Sequence, residues 1–135
     1  MRSREPLDER EVVRAFYANP KKQRLLTTFE YGRGELTSGL WLGDGLDERW
    51  RTPIPRREQR VELIQSRLTD EGAEPECWVM SEDHDVDERW LPLPEALQRV
   101  VGSGHAALLV CKPYALAYHE GEAQHDRSIL KRPPG

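Results

Sequence analysis

The sequence predicts a single α+β domain, and three observations carry that prediction. The chain has 135 residues, and no long polar stretch divides them. Its apolar residues gather in short runs of strand length, and between those runs they recur at helical spacing. The expected architecture is one domain over residues 1–121, with a mixed or antiparallel sheet of about four to five strands packed by about three helices. Residues 122–135 are expected to form a polar C-terminal tail, since after Gly121 the sequence is polar and ends Lys131-Arg132-Pro133-Pro134-Gly135.

Leu7 to Asn19 reads as the first helix, because Val12, Val13, Phe16 and Tyr17 line one face. Asp8 with Glu11 three residues later supplies a start resembling a capping box, and Pro20 closes the segment. Leu25 to Tyr31 is rich in β-branched and aromatic residues, which predicts a strand. Gly32-Arg33-Gly34 then offers a turn into a second strand near Ser38 to Leu42, making a hairpin closed by Gly43-Asp44-Gly45.

From Pro55 to Thr69 the spacing is helical, with Val61, Ile64 and Leu68 on one stripe and Arg56, Arg60 and Arg67 on a neighbouring basic one. Glu76 to Met80 predicts a buried strand, Pro94 to Val101 a short helix, and His105 to Cys111 another strand. That strand can continue through Tyr114 to Tyr118, provided Pro113 falls at a sheet edge or a turn.

Hydrophobic residues make up 37% and charged residues 33%, so a modest core under polar loops is expected. No apolar run approaches the roughly 20 residues of a membrane span, and Met1 to Pro6 leads into an amphipathic segment, so a cytoplasmic protein is expected. Cys77 and Cys111 each sit in an apolar run and read as reduced core thiols. Residues 1–67 carry 14 Lys/Arg against 11 Asp/Glu, whereas residues 68–135 carry 6 against 13. The surface is therefore polarised, but the strongly basic footprint that argues for a nucleic-acid partner is missing.

A short motif occurs twice. Leu46-Asp47-Glu48-Arg49-Trp50-Arg51-Thr52-Pro53-Ile54-Pro55, running on to Gln59-Arg60-Val61, aligns with Val86-Asp87-Glu88-Arg89-Trp90-Leu91-Pro92-Leu93-Pro94 and Gln98-Arg99-Val100. Each copy follows a Trp-centred strand candidate (Leu40-Trp41-Leu42 and Cys77-Trp78-Val79), which suggests a strand–loop–helix duplication over residues 38–70 and 76–101. The second proline of each Pro-x-Pro suits the first turn of a helix, and each Trp can lie over that start. As a functional alternative, the two copies form a paired surface. Arg49, Trp50, Arg89 and Trp90 would grip a partner there, with Arg56 and Arg60 as an electrostatic rim, since Trp and Arg are frequent binding anchors.

Catalytic patterns are sparse. Glu82, Asp83, His84, Asp85, Asp87 and Glu88 form one set of potential metal ligands, and His119, Glu120, Glu122, His125 and Asp126 a second. Neither has the spacing of a known metal motif, and Asp83, Asp85 and Asp87 lack the glycine and glutamate of a calcium loop. The stretch from Glu35 to Gly43 lacks the spacing and the His-x-His of a JAB-type metalloprotease. No serine lies in a Gly-x-Ser-x-Gly elbow, both cysteines have apolar neighbours, and no cofactor motif is present.

The expected function is thus a non-catalytic binding or regulatory protein that recognises a protein partner, or a second copy of itself, through the duplicated loops. One alternative is a metal-dependent hydrolase using Asp83, His84, Asp85, His119 and His125. Another is a nucleic-acid module using the arginine face beside Ile64.

Overall fold

A computed structural model describes residues 4–39, 45–121, 123 and 125–133. The chain is α+β, with helices α1 (Glu9–Phe16), α2 (Lys21–Thr28), α3 (Gly34–Gly39), α4 (Val61–Asp70) and α5 (Leu93–Val100). The strands are β1 (Arg51–Pro53), β2 (Glu76–Ser81), β3 (Arg89–Pro92), β4 (Ala107–Lys112), β5 (Leu116–Glu120) and β6 (Arg127–Lys131). They form one six-stranded sheet in the order β1-β6-β5-β4-β2-β3, with every neighbouring pair antiparallel.

Helices cover both faces of this sheet, which explains why its central strands read as unbroken apolar runs rather than as an alternation. Side chains still alternate, but each face meets a core. Trp78, Met80, Leu108, Val110, Ala117 and Leu130 pack under α1 and its neighbours, where Val12, Val13, Phe16, Leu25 and Leu36 are buried. Cys77, Val79, Leu109, Leu116, Tyr118 and Ile129 face Ile64 and Leu68 of α4 and Ala96, Leu97 and Val100 of α5.

α1 begins as expected: Asp8 is its N-cap, accepting a hydrogen bond from the Arg10 N–H, and Glu9 and Glu11 sit at the positive end of the helix dipole. The segment after Pro20 corrects the sequence reading. Leu25 to Tyr31 is no strand: Lys21–Thr28 is helical and a 3-10 turn follows over Phe29–Tyr31. Burying Leu25 against the sheet outweighs the strand preference of Thr27, Thr28 and Phe29. Ser38 and Gly39 end α3, and residues 40–42 of the expected second hairpin strand lie outside the described residues.

Residues 122–135 are not merely a tail, because β6 lies between β1 and β5 and buries Ser128, Ile129 and Leu130. An apolar pair flanked by charges gave too little periodicity to reveal it. At the other side of the domain, the Gly45 carbonyl accepts from the Ala18 N–H, and Leu46 bridges to Tyr17. Gly45 has φ +87°, and a Cβ there would collide with the Lys21 side chain, so only glycine fits this crossing.

Candidate functional site

The two motif copies share an outline. Each runs from a turn into a short edge strand ending in proline (Pro53 or Pro92), then buries the residue between its prolines. Ile54 N–H donates to the Arg127 carbonyl and Leu93 N–H to the Pro75 carbonyl, both at 2.9 Å. Each copy then leads to a helix on the same face, α4 or α5. Short edge strands stopped by proline resist pairing with another chain, which gives the recurring Pro-x-Pro a structural purpose.

The details differ. Pro94 lies in the first turn of α5, as expected, but Pro55 precedes a 3-10 turn over Arg56–Glu58, and α4 starts only after Arg60. Gln59-Arg60-Val61 therefore opens one helix, whereas Gln98-Arg99-Val100 ends the other.

β1 and β3 are the two edges of the sheet and run in opposite directions, so the loops before them sit at diagonally opposed corners. Five strand spacings separate the edges, about 24 Å. The structure thus puts Arg49 and Trp50 just before β1, Arg56 and Arg60 beyond the far end of that strand, and Arg89 and Trp90 on the β3 side. Arg49, Arg56, Arg60 and Arg89 are exposed, and both tryptophans are partly buried.

The two tryptophans are used differently. Trp90 lies against Trp78, with ring centroids 5.4 Å apart at 61°, and donates its indole N–H to the Glu5 carbonyl at 2.7 Å. Arg4 stacks 3.6 Å from its ring centroid and reaches Glu76 at 3.3 Å. The ring belongs to the core beneath α1, on the opposite face from α5, so it is no lid on that helix.

At the other corner, the buried Asp47 carboxylate accepts from both the backbone N–H and the guanidinium of Arg49, at 3.1 and 2.7 Å. This holds the Asp47 carboxyl below its usual range. Arg49, fixed at its base but 72% exposed, stands 4.8 Å from the Trp50 ring centroid, and Arg132 stands 5.7 Å from it. No described residue accepts the Trp50 indole N–H.

Asp87, the counterpart of Asp47, serves a different arginine. The Arg33 guanidinium joins Glu9 (2.6 and 2.9 Å) to Asp87 (2.5 and 3.0 Å), while Trp78 donates its indole N–H to Glu9 at 2.9 Å and Ser81 its backbone N–H to Asp87. Burial alone disfavours the Arg33 charge, but the hydrogen bonds Arg33 donates to the Asp87 and Glu9 carboxylates outweigh it and raise its pKa. This cluster ties α1 and the turn before α3 to the β2–β3 edge.

A second polar cluster lies beneath the end of α5. Buried Glu120 accepts from Tyr118 Oη (2.8 Å), Gly102 N–H (2.9 Å) and Arg127 (3.2 Å), and Arg127 also donates to Gln59 (2.8 Å). Burial raises the Glu120 pKa and these donors oppose the rise. His125 Nδ1 lies 3.3 Å from Gln59, and burial followed by the charges of Arg56 and Arg127 lowers its pKa. Every polar partner in this cluster belongs to the fold.

The expected metal ligands lie in separate parts of the described structure. His84 and Asp85 are exposed on the β2–β3 turn, where Asp83 caps the backbone of Asp85. His119 is buried on the sheet face under α1, whereas Glu120 and Arg127, beside His125, are on the other face. Among the described residues, no three His, Cys, Asp or Glu side chains converge as metal ligands. Glu122 lies outside them.

The described residues form several surface depressions. One of about 400 Å³ is lined by Asn19, Pro20, Lys21, Arg24 and Leu46 among others, one of about 330 Å³ lies along the exposed face of α4, and one of about 250 Å³ is enclosed by Glu71, Lys112, Ala115, Leu116, Lys131 and Arg132. The third adjoins the Trp50 corner through Arg132. The sequence reading does not single out Arg132 or Lys112: the course of β6 beside β1 brings Arg132 near Trp50, and the adjacency of β4, β5 and β6 brings Lys112 to the same depression as Arg132. Among the described residues, no helix is long and apolar enough to cross a membrane. Comparison with known family models, curated proteins and solved structures finds no match to this chain.

Proposed function

We propose that the chain is a non-catalytic binding or regulatory protein that recognises a protein partner through its β1 edge, with Trp50 and Arg49 as the central contacts and Arg56 and Arg60 as the rim. The carrying observation is the contrast between the tryptophans. Trp90 is engaged by Trp78, Arg4 and Glu5, whereas among the described residues the Trp50 ring is stacked by the Arg49 and Arg132 guanidiniums, pairs with no other aromatic ring, and has no hydrogen-bond acceptor for its indole N–H. An exposed stack of this kind contributes only about 0.5–1 kcal/mol, so a partner can rearrange it at small cost. Partly buried Trp with adjacent Arg is also the composition of binding hot spots. On this reading Arg89 and Trp90 leave the primary contact and become part of the fold at the far edge.

The test is affinity capture from the native host with wild type, Trp50→Ala, Arg49→Ala and Arg89→Ala, each checked for folding by circular dichroism. The first two substitutions are expected to remove a reproducible set of captured proteins that Arg89→Ala retains. Equal capture by all four proteins would contradict the proposal.

A further inference from the structure

Resting on that reading of the Trp50 corner, the geometry points to an acidic protein segment as the ligand: a carboxylate enters the depression between Lys112 and Arg132, while a flanking apolar side chain covers Trp50. The depression lies at one end of the sheet, where β4 finishes, β5 begins and β6 finishes. Its floor is apolar, from Ala115 and Leu116, and its wall carries three cations and one acid. Glu71 is committed to the Lys131 ammonium. Lys112 and Arg132 have no carboxylate partner among the described residues, so the net charge of the depression is positive and is carried by those two groups.

The backbone fixes their positions. Arg132 N–H donates to the Ala115 carbonyl and Lys131 N–H to the Trp50 carbonyl, both at 2.9 Å, so the chain at 131–132 is pinned between the depression and the motif turn. Arg132 therefore stands between an apolar-floored cationic hollow on one side and the Trp50 ring, 5.7 Å away, on the other. A guanidinium there can pair with a carboxylate in bidentate fashion and still lie by the indole.

Size and charge favour an acidic peptide over a nucleic acid. A hollow of about 250 Å³ accommodates a side chain rather than a phosphate track, and Glu71 on its wall would repel a run of closely spaced phosphates.

The experiment measures fluorescence anisotropy of a labelled dodecapeptide of glutamate and glycine with one central leucine. Wild type is expected to bind it with an affinity that weakens several-fold as salt rises through the physiological range. Lys112→Glu with Arg132→Glu should abolish binding, whereas Lys21→Glu, in the other basic depression, should leave it unchanged. The inference is overturned by three results: no binding up to millimolar protein, equal binding by the double variant, or tighter binding of a single-stranded oligonucleotide of the same charge. If host partners are lost with Trp50→Ala but kept by the Lys112→Glu, Arg132→Glu protein, the Trp50 reading stands and the acidic-ligand inference falls. If the peptide binds through Lys112 and Arg132 while host partners ignore Trp50, the reverse holds.

Discussion

Trp50 and Trp90 occupy the same place in two matching motifs, yet Trp50 stands in the turn before β1 and Trp90 in β3, at opposite edges of the sheet. Trp90 meets an aromatic ring, a stacked guanidinium and a backbone carbonyl, whereas among the described residues Trp50 has two guanidiniums at its ring and neither an aromatic partner nor an indole acceptor. Trp90→Ala should therefore cost about 2 kcal/mol of stability, less than for a fully buried ring because Trp90 is half-buried. Trp50→Ala should cost under about 1 kcal/mol. Urea denaturation of the two variants checks the order, and a reversed order would remove the basis for assigning them different roles.

Arg33 is expected to be the most sensitive charged position. Arg33→Ala leaves the Glu9 and Asp87 carboxylates facing each other, both largely out of solvent, and should destabilise the protein by about 3 kcal/mol. Arg33→Lys should rescue only part of this, because an ammonium cannot reproduce two bidentate contacts. Full rescue by lysine in the same denaturation assay would show that charge alone matters.

Glu120 predicts a pH signature. Its folded pKa lies above the ordinary glutamate value, so in that interval the native state holds a proton that the unfolded chain has released. Its contribution to stability is then greatest below the ordinary value and declines as pH rises through the folded pKa. Glu120→Gln removes this titration, so the stability of the variant relative to wild type should rise between acidic and neutral pH. A pH-independent difference would contradict the assignment.

The thiols give a further check. Trp78 pairs with Val110, and one residue along Cys77 and Cys111 face the same core. The neighbouring Cys77 thiol, together with burial, raises the Cys111 pKa, and the two thiols donate to the Leu91 and Leu109 carbonyls. A colorimetric disulfide reagent should react slowly with the native protein and report two thiols after denaturation. Rapid native reaction at either cysteine would show the core to be open.

The parts of the fold legible in the sequence are those with strong periodicity or long apolar runs. α1, α5, β2 and β4 fall within a few residues of their expected positions, and the Ile64 and Leu68 stripe of α4 is buried as expected; the expected continuation of β4 through Tyr118 is instead a turn over residues 113–115 into a separate antiparallel strand, β5. The missed strands have little local signal. β1 is three residues, β3 is Arg-Trp-Leu-Pro, and β6 exposes its apolar character only at Ile129 and Leu130. Their pairing is set by neighbours distant in sequence. The same cause makes half of the candidate site illegible in the sequence: the repeat marks Trp50, but Arg132 reaches it only because β6 lies beside β1.

The most direct test replaces Arg49 or Arg89 with a photocrosslinking amino acid and irradiates cells of the native host. Partner recognition at the Trp50 corner predicts a discrete crosslinked protein from position 49 and none from position 89. Adducts from position 89 alone, or none from position 49, would contradict it.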